Sequence, residues 1–156
     1  DWNNKKNAIG KQHQQLTKKL KQHRGKPLDK LAKKVHQAVF QEIDCLQCAG
    51  CCSGIPPLVN KTDSARIAKK LGISESEFET SYLTVDEDND IVMNQSPCPF
   101  LLPDNYCSIY EFRPKACCEY PHTDERFSAH LDYHAVNSQY CPATFHILER
   151  IKTSLP

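Results

Sequence analysis

No apolar run in this chain approaches the ~20 residues that a membrane-crossing helix needs, and no signal-peptide h-region is present. Membrane insertion and export are therefore not expected, and the protein reads as cytoplasmic. Core-forming residues are few. The 156 residues are 39% hydrophobic and 8% aromatic, with one Met, one Trp and a mean hydropathy of −0.61. That is a thin core for one domain, so a metal or covalent staple would help it. A Gly-rich phosphate loop, a hydrolase elbow and a paired-carboxylate signature are all missing, which removes the catalytic classes those motifs serve. No internal repeat and no low-complexity tract occurs.

What the chain has in quantity is cysteine. All nine lie between residues 45 and 141. Residues 45–52 read CLQCAGCC, which places Cys45, Cys48, Cys51 and Cys52 together; Cys98, Cys107, Cys117, Cys118 and Cys141 follow. A C-x2-C step lets two thiolates converge on one ion from a single tight turn. Zinc and iron–sulfur clusters both take soft thiolates in near-tetrahedral arrangements. The C-x2-C-x2-C run matches the three-ligand arm of ferredoxin-type [4Fe–4S] sequences. Its x3-C-P continuation is missing, so a fourth ligand would come from afar. Eight thiolates would equally make two four-ligand zinc sites. Spacing leaves both arrangements open. Disulfides fit poorly, because nine is an odd number and no export signal accompanies the cysteines. Any one cysteine is most simply a buried thiol, but clustering at this spacing argues for chelation.

Charge is uneven along the chain. Residues 1–44 carry eleven Lys/Arg against four Asp/Glu, a net +7; residues 45–156 carry nine against fifteen, a net −6. The basic segment invites a nucleic-acid reading. Its lysines surround an apolar stripe, however, and its only aromatics are Trp2 and Phe40. A solvated helix face is the commoner explanation of such a pattern.

The pattern predicts a mostly helical α+β fold in a small single domain. A helix is expected over residues 4–24, stopped by Gly25. A second follows over 28–43, with Leu28, Leu31, Val35, Ala38, Val39 and Ile43 on one stripe. The pair reads as a helical hairpin delivering the chain to Cys45. CLQCAGCCSGIPP is expected to be loop. Residues 62–71 read as a helix closed by Gly72, and Ser74-x-x-Glu77 opens another through about Tyr82. LTVDEDNDIVMN reads as a β-hairpin with an acidic tip. Residues 96–122 are expected to be irregular and held by metal. Pro142 begins a final helix with Phe145, Leu148 and Ile151 inside. Residues 1–27 are taken as a basic helical extension and 28–156 as the cysteine-cluster domain.

CLQCAGCC, then CPFLLPDNYCSIYEFRPKACCEYPHTDER, then Cys141-Pro142 together resemble the YkgJ-type CxxCxxCC cysteine-cluster family. These bacterial proteins are described as zinc- or iron-chelating domains and are sometimes labelled iron–sulfur oxidoreductases. The resemblance covers about residues 28–150. It implies Cys45, Cys48, Cys51, Cys52, Cys98, Cys107, Cys117 and Cys141 as ligands. Cys118 stands where the family pattern has Arg, and is the expected non-ligand.

Three further residues are candidates for a role beside the metal. Arg113 could donate hydrogen bonds to metal-bound sulfur, and His122, with Asp124 two residues on, could move a proton or anchor the loop. His13, His23, His36, His130, His134 and His146 are expected to be ordinary surface or boundary residues. The leading expectation is a zinc- or iron-binding protein whose metal mainly maintains the fold. The alternatives are an iron–sulfur oxidoreductase or a metal-dependent protein-modifying enzyme, and a nucleic-acid-associated zinc module. A protein partner and nucleic acid are the partner classes considered, nucleic acid ranking lower; no membrane partner is expected.

Overall fold

The computed structural model describes residues 2–155. In chain order its elements are α1 (Trp2–Lys5), α2 (Gly10–Leu20), α3 (Lys26–Glu42), α4 (Cys45–Cys48), α5 (Gly50–Gly54), α6 (Lys61–Leu71), α7 (Glu75–Tyr82), β1 (Leu83–Val85), β2 (Ile91–Met93), α8 (Lys115–Glu119), α9 (Leu131–Asn137) and α10 (Pro142–Ser154). The fold is α+β and mostly helical; the sheet among the described residues is the antiparallel β1–β2 pair. No helix among the described residues is long and apolar enough to cross a membrane. The chain separates into two compact units, Asp1–Asp44 with Pro121–Pro156, and Cys45–Tyr120.

The first unit is helical. Gly25, at φ +121°, turns the chain in a conformation that favours glycine, and Pro27 sits in the first turn of α3. The stripe Leu28, Ala32, Val35 and Val39 is buried, and α3 packs on α10. From Pro142 onward α10 buries Ala143, Phe145, Ile147, Leu148 and Ile151. Each fully buried Leu, Ile or Phe of this kind contributes about 1.5–3 kcal/mol. α2 packs on α9 through His13, Leu16, Thr17 and Leu20.

Two expectations are corrected in this unit. The single helix over 4–24 is instead α1, α2 and a 3₁₀ turn at Lys21–His23. Gln139 Nε2 donates to the Lys6 carbonyl at 2.9 Å, which takes that carbonyl out of a continuing helix ladder. His13 and His134 are not at the surface: both are fully buried. His13 lies on the same stripe as Leu16 and Leu20, with Nε2 2.7 Å from Glu149 Oε1 and Nδ1 3.2 Å from Ser138 Oγ. His134 stacks on Phe127 with ring centroids 4.1 Å apart. α9 was not among the expected elements, and it carries no strong start signal. It is held by the burial of Leu131, His134 and Ala135.

The second unit has its own core of Val59, Ile67, Ala68, Phe78, Met93, Phe100 and Ile109. Asn60 opens α6 with a reciprocal capping box: its side chain accepts from Asp63 N at 2.8 Å, and Asp63 Oδ2 accepts from Asn60 N at 3.1 Å. Gly72, at φ +72°, closes α6. Ser74 Oγ then accepts from Glu77 N at 3.1 Å to start α7. β1 and β2 pair Leu83 with Met93, Thr84 with Val92 and Val85 with Ile91. At the hairpin tip Asp86 Oδ1 accepts from the amides of Asp88 and Asp90 at 3.0 and 2.9 Å. This turn chemistry accounts for the proximity of the three carboxylates.

Candidate metal centre

The expectation of a plain loop over CLQCAGCCSG is corrected: the segment forms two single-turn helices, α4 and α5. Ala49 between them adopts φ +47°, ψ 22°, the left-handed conformation, so the chain reverses helix direction without a glycine at that position. Gly50 N–H points at Cys48 Sγ, 3.4 Å away. Cys45 is exposed, while Cys48, Cys51 and Cys52 are partly buried.

Residues 98–108 bring two more thiols to this segment. Cys98 N donates to Cys52 O at 2.8 Å, which fixes the chain to the end of α5. Leu101 N then donates to Cys98 O at 3.1 Å, Leu102 N to Tyr106 O at 2.8 Å and Ser108 N to Phe100 O at 2.8 Å. Asn105, at φ +70°, takes the left-handed position in this turn, which asparagine tolerates well. A bridge pairs Leu101 with Cys107. Phe100 and Ile109, buried beneath the loop, anchor both of its ends.

The chain then passes through a 3₁₀ turn at Tyr110–Phe112 to Arg113, Pro114 and α8. Cys117 N donates to Pro114 O at 2.9 Å. Cys117 is partly buried and Cys118 is exposed, with its Sγ 4.0 Å from Arg113 O. Arg113 stacks its guanidinium 3.9 Å over the Tyr110 ring, and its Nε donates to Tyr110 O at 2.9 Å.

Electrostatics show which thiols gather. Cys52 is pulled down to about 7 by the hydrogen bond from the Cys51 thiol, with help from the Arg113 charge against the opposing effect of burial. Cys98 and Cys107 are pushed up, first by burial and also by the negative charge of Cys52. Cys117 is pushed up to about 12 by burial and by the charges of Cys52, Cys98 and Cys107. Cys52, Cys98, Cys107 and Cys117 therefore sense one another, with Cys51 and Arg113 beside them. One thiolate is tolerated there, but further thiolates repel it in a poorly solvated place. A bound cation reverses that cost, so this donor set fits zinc or iron. Among the described residues no three cysteine sulfurs lie within 4.8 Å of one another. A Zn–S distance of about 2.3 Å puts tetrahedral sulfurs about 3.8 Å apart, so the thiols are gathered but not clamped.

The remaining sequence candidates belong to the helical unit. Cys141 is buried at the N-cap of α10, where its Sγ accepts from Thr144 N at 3.5 Å. His122 takes φ +65°, and its ring lies 4.6 Å from that of His130. Asp124 is exposed and acts electrostatically on His36.

Two residues of the site were missed from sequence. Asp63, only 2% exposed, accepts from Lys115 N at 3.2 Å and from Arg66 Nη2 at 3.0 Å through one oxygen. Arg66 in turn reaches the Arg113 carbonyl. The Asn60-x-x-Asp63 capping box, followed by Arg66 at i,i+3, was the available signal.

The family model matching residues 44–142 is that of the CxxCxxCC family, described as "Putative zinc- or iron-chelating domain". The chain belongs to this family. All nine cysteines of this CxxCxxCC protein fall inside the matched span. Comparison with curated proteins and with solved structures finds no match.

Proposed function

We propose that the chain is a thiolate-ligated zinc or iron protein whose metal mainly maintains the fold of residues 45–120. One observation carries this reading. α4, α5 and α8 bear six of the nine cysteines, are four or five residues long, and bury none of their residues. Helices of that length are unstable by themselves in water. Apolar packing does not hold them, and a metal bound by their thiolates would.

In this reading Cys52, Cys98, Cys107 and Cys117 hold the metal. Cys45, Cys48 and Cys51 are the further thiolates of the same segment, and Arg113 balances charge beside them. The bound metal supplies positive charge that neutralises several thiolates at once. The protein's residues position those thiolates and exclude water with Phe100, Ile109 and the half-buried Phe112. Cys141, His122 and Asp124 carry no step in it. Reduced thiols of this kind suit the cytoplasm.

Elemental analysis of anaerobically purified protein tests the proposal. Stoichiometric zinc or iron, lost together with thermal stability on chelation, is the expected result. A brown protein absorbing near ~400 nm would identify the group as an iron–sulfur cluster. Metal-free protein with an unchanged melting temperature would overturn the structural reading.

A further inference from the structure

The helical unit carries fourteen Lys/Arg against eight Asp/Glu, a net +6. Lysine number alone did not distinguish a binding face from a solvated one. The structure adds aromatic side chains to it. On α9 and the turn that follows, Tyr133, Val136 and Tyr140 are 63%, 54% and 39% exposed. Tyr133 and Val136 are three residues apart on α9, and so on one side of it, and Tyr140 follows in the turn beyond its end.

Basic residues stand at both ends of this stripe. At its start Lys21 pairs with Asp132, and Arg24 also acts on that carboxylate. At its end, Gln139 holds the Lys6 carbonyl and Trp2 Nε1 donates to Ser138 O at 3.0 Å. Those bonds tie Trp2 and Lys6 to residues 138–139, and Lys6 Nζ lies 4.2 Å over the Trp2 ring. α2, which packs on α9, keeps Lys11 and Lys18 exposed.

We propose that this α2–α9 face binds single-stranded nucleic acid, with unpaired bases stacking on Tyr133 and Tyr140 and phosphates neutralised by Lys21, Arg24 and their neighbours. Exposed rings within a basic field are what sequence-tolerant single-strand binding requires. A duplex keeps its bases closed and would leave the tyrosines idle. A lipid surface would need a wider apolar face than three side chains provide. The proposal does not depend on the metal.

Fluorescence anisotropy of the full chain with a labelled oligouridine of about a dozen nucleotides, titrated at several salt concentrations, tests it. Tyr133→Ala/Tyr140→Ala should weaken binding by about tenfold or more and leave the salt slope unchanged, since each base–ring stack is sizeable. Lys21→Gln/Arg24→Gln should reduce the log–log salt slope by about 1.4, from two lost phosphate contacts on a single strand. Asp132→Asn should tighten binding by removing a like charge. All of these residues are at the surface, so unchanged melting temperatures will confirm that each variant is folded. No binding at about 50 mM salt, equal affinity of the double tyrosine variant and wild type, or binding to anionic phospholipid vesicles but not to the oligomer would each overturn the proposal.

Discussion

The Arg66 guanidinium donates to the main-chain carbonyl of Arg113 at 2.6 Å, and so ties α6 to the loop that carries Cys117. The same Nη2 bonds Asp63 Oδ1 at 3.0 Å. Asp63 also accepts from Lys115 N at the head of α8. A well-packed helix thus grips both sides of Pro114. α8 has no buried residue of its own, so this grip helps to locate it.

Arg66→Ala should weaken metal binding without removing any ligand. Outer partners that orient metal ligands are typically worth 10–100-fold in affinity, and a loss of that size is expected in competition with a chromophoric chelator. Arg66→Lys should recover only part of it, because the shorter lysine side chain places its ammonium differently from the Nη2 that bonds both Asp63 and the Arg113 carbonyl. Metal affinity equal to wild type in Arg66→Ala would show that the grip is irrelevant to the site.

Asp63→Asn should destabilise residues 45–120 by about 1.5–3 kcal/mol, since the buried carboxylate is the charged acceptor for Arg66, Lys115 N and Asn60 N. Urea unfolding at fixed metal loading measures it; a change below about 1 kcal/mol, the size of a surface pair, would refute the assignment.

Neighbouring cysteines should differ sharply. Cys52→Ser removes the thiol that Cys98, Cys107 and Cys117 all sense, and should cost the protein its bound metal. Cys118→Arg alters an exposed side chain and should leave metal stoichiometry intact. Elemental analysis of the two variants side by side decides the matter, and loss of metal from Cys118→Arg would make Cys118 a ligand.

Local signals in the sequence were enough to place many elements. Gly25 with Pro27, Gly72, Ser74 and Pro142 each act within one turn of chain, and the helix ends fall where they are. The cysteines announced a thiolate site through spacing alone. What spacing did not contain was which thiols gather, because that depends on the Leu101–Cys107 bridge and on Cys98 N reaching Cys52 O. α4 and α5 were hidden because Ala49 adopts a conformation normally left to glycine. The burial of Asp63 needs Lys115, 52 residues away. His13 is buried for the same kind of reason, since its partner Glu149 lies 136 residues away; the partner of His134 is Phe127, seven residues back, across a turn that carries no strong signal.

His134 gives the helical unit a pH dependence. Its Nε2 lies 2.9 Å from the Phe127 carbonyl and donates to it, and no partner for Nδ1 occurs among the described residues. Burial holds the imidazole down at about 4, against 6.5 for the free side chain. The unfolded chain therefore binds this proton first. The contribution is complete above pH 6.5 and is lost as pH falls towards 4. The full difference is on the order of 3 kcal/mol. His134→Gln keeps a donor for Phe127 and does not titrate, so its stability should fall less than that of wild type over this window. Parallel pH profiles for the two proteins would exclude His134 as the cause.

Removing the metal should unfold the chain unevenly. The apolar core of residues 45–120 draws on α6, α7, β2, Phe100 and Ile109, whereas α4, α5 and α8 bury no residue. The helical unit rests on α3 against α10 and α2 against α9, with six buried side chains on α10 alone. Chelation withdraws the cation and leaves Cys52, Cys98, Cys107 and Cys117 to repel one another or take up protons. Segments without a core of their own should then lose their amide protection, while those with one keep it. Hydrogen exchange followed by mass spectrometry, with and without chelator, reads this directly. Peptides covering residues 45–56 and 113–120 are expected to exchange much faster after chelation, α6 and α7 moderately faster, and α3 and α10 at nearly their original rates. Uniform loss of protection in all these helices would mean that the metal supports the whole chain rather than residues 45–120, and no loss anywhere would mean that it supports neither.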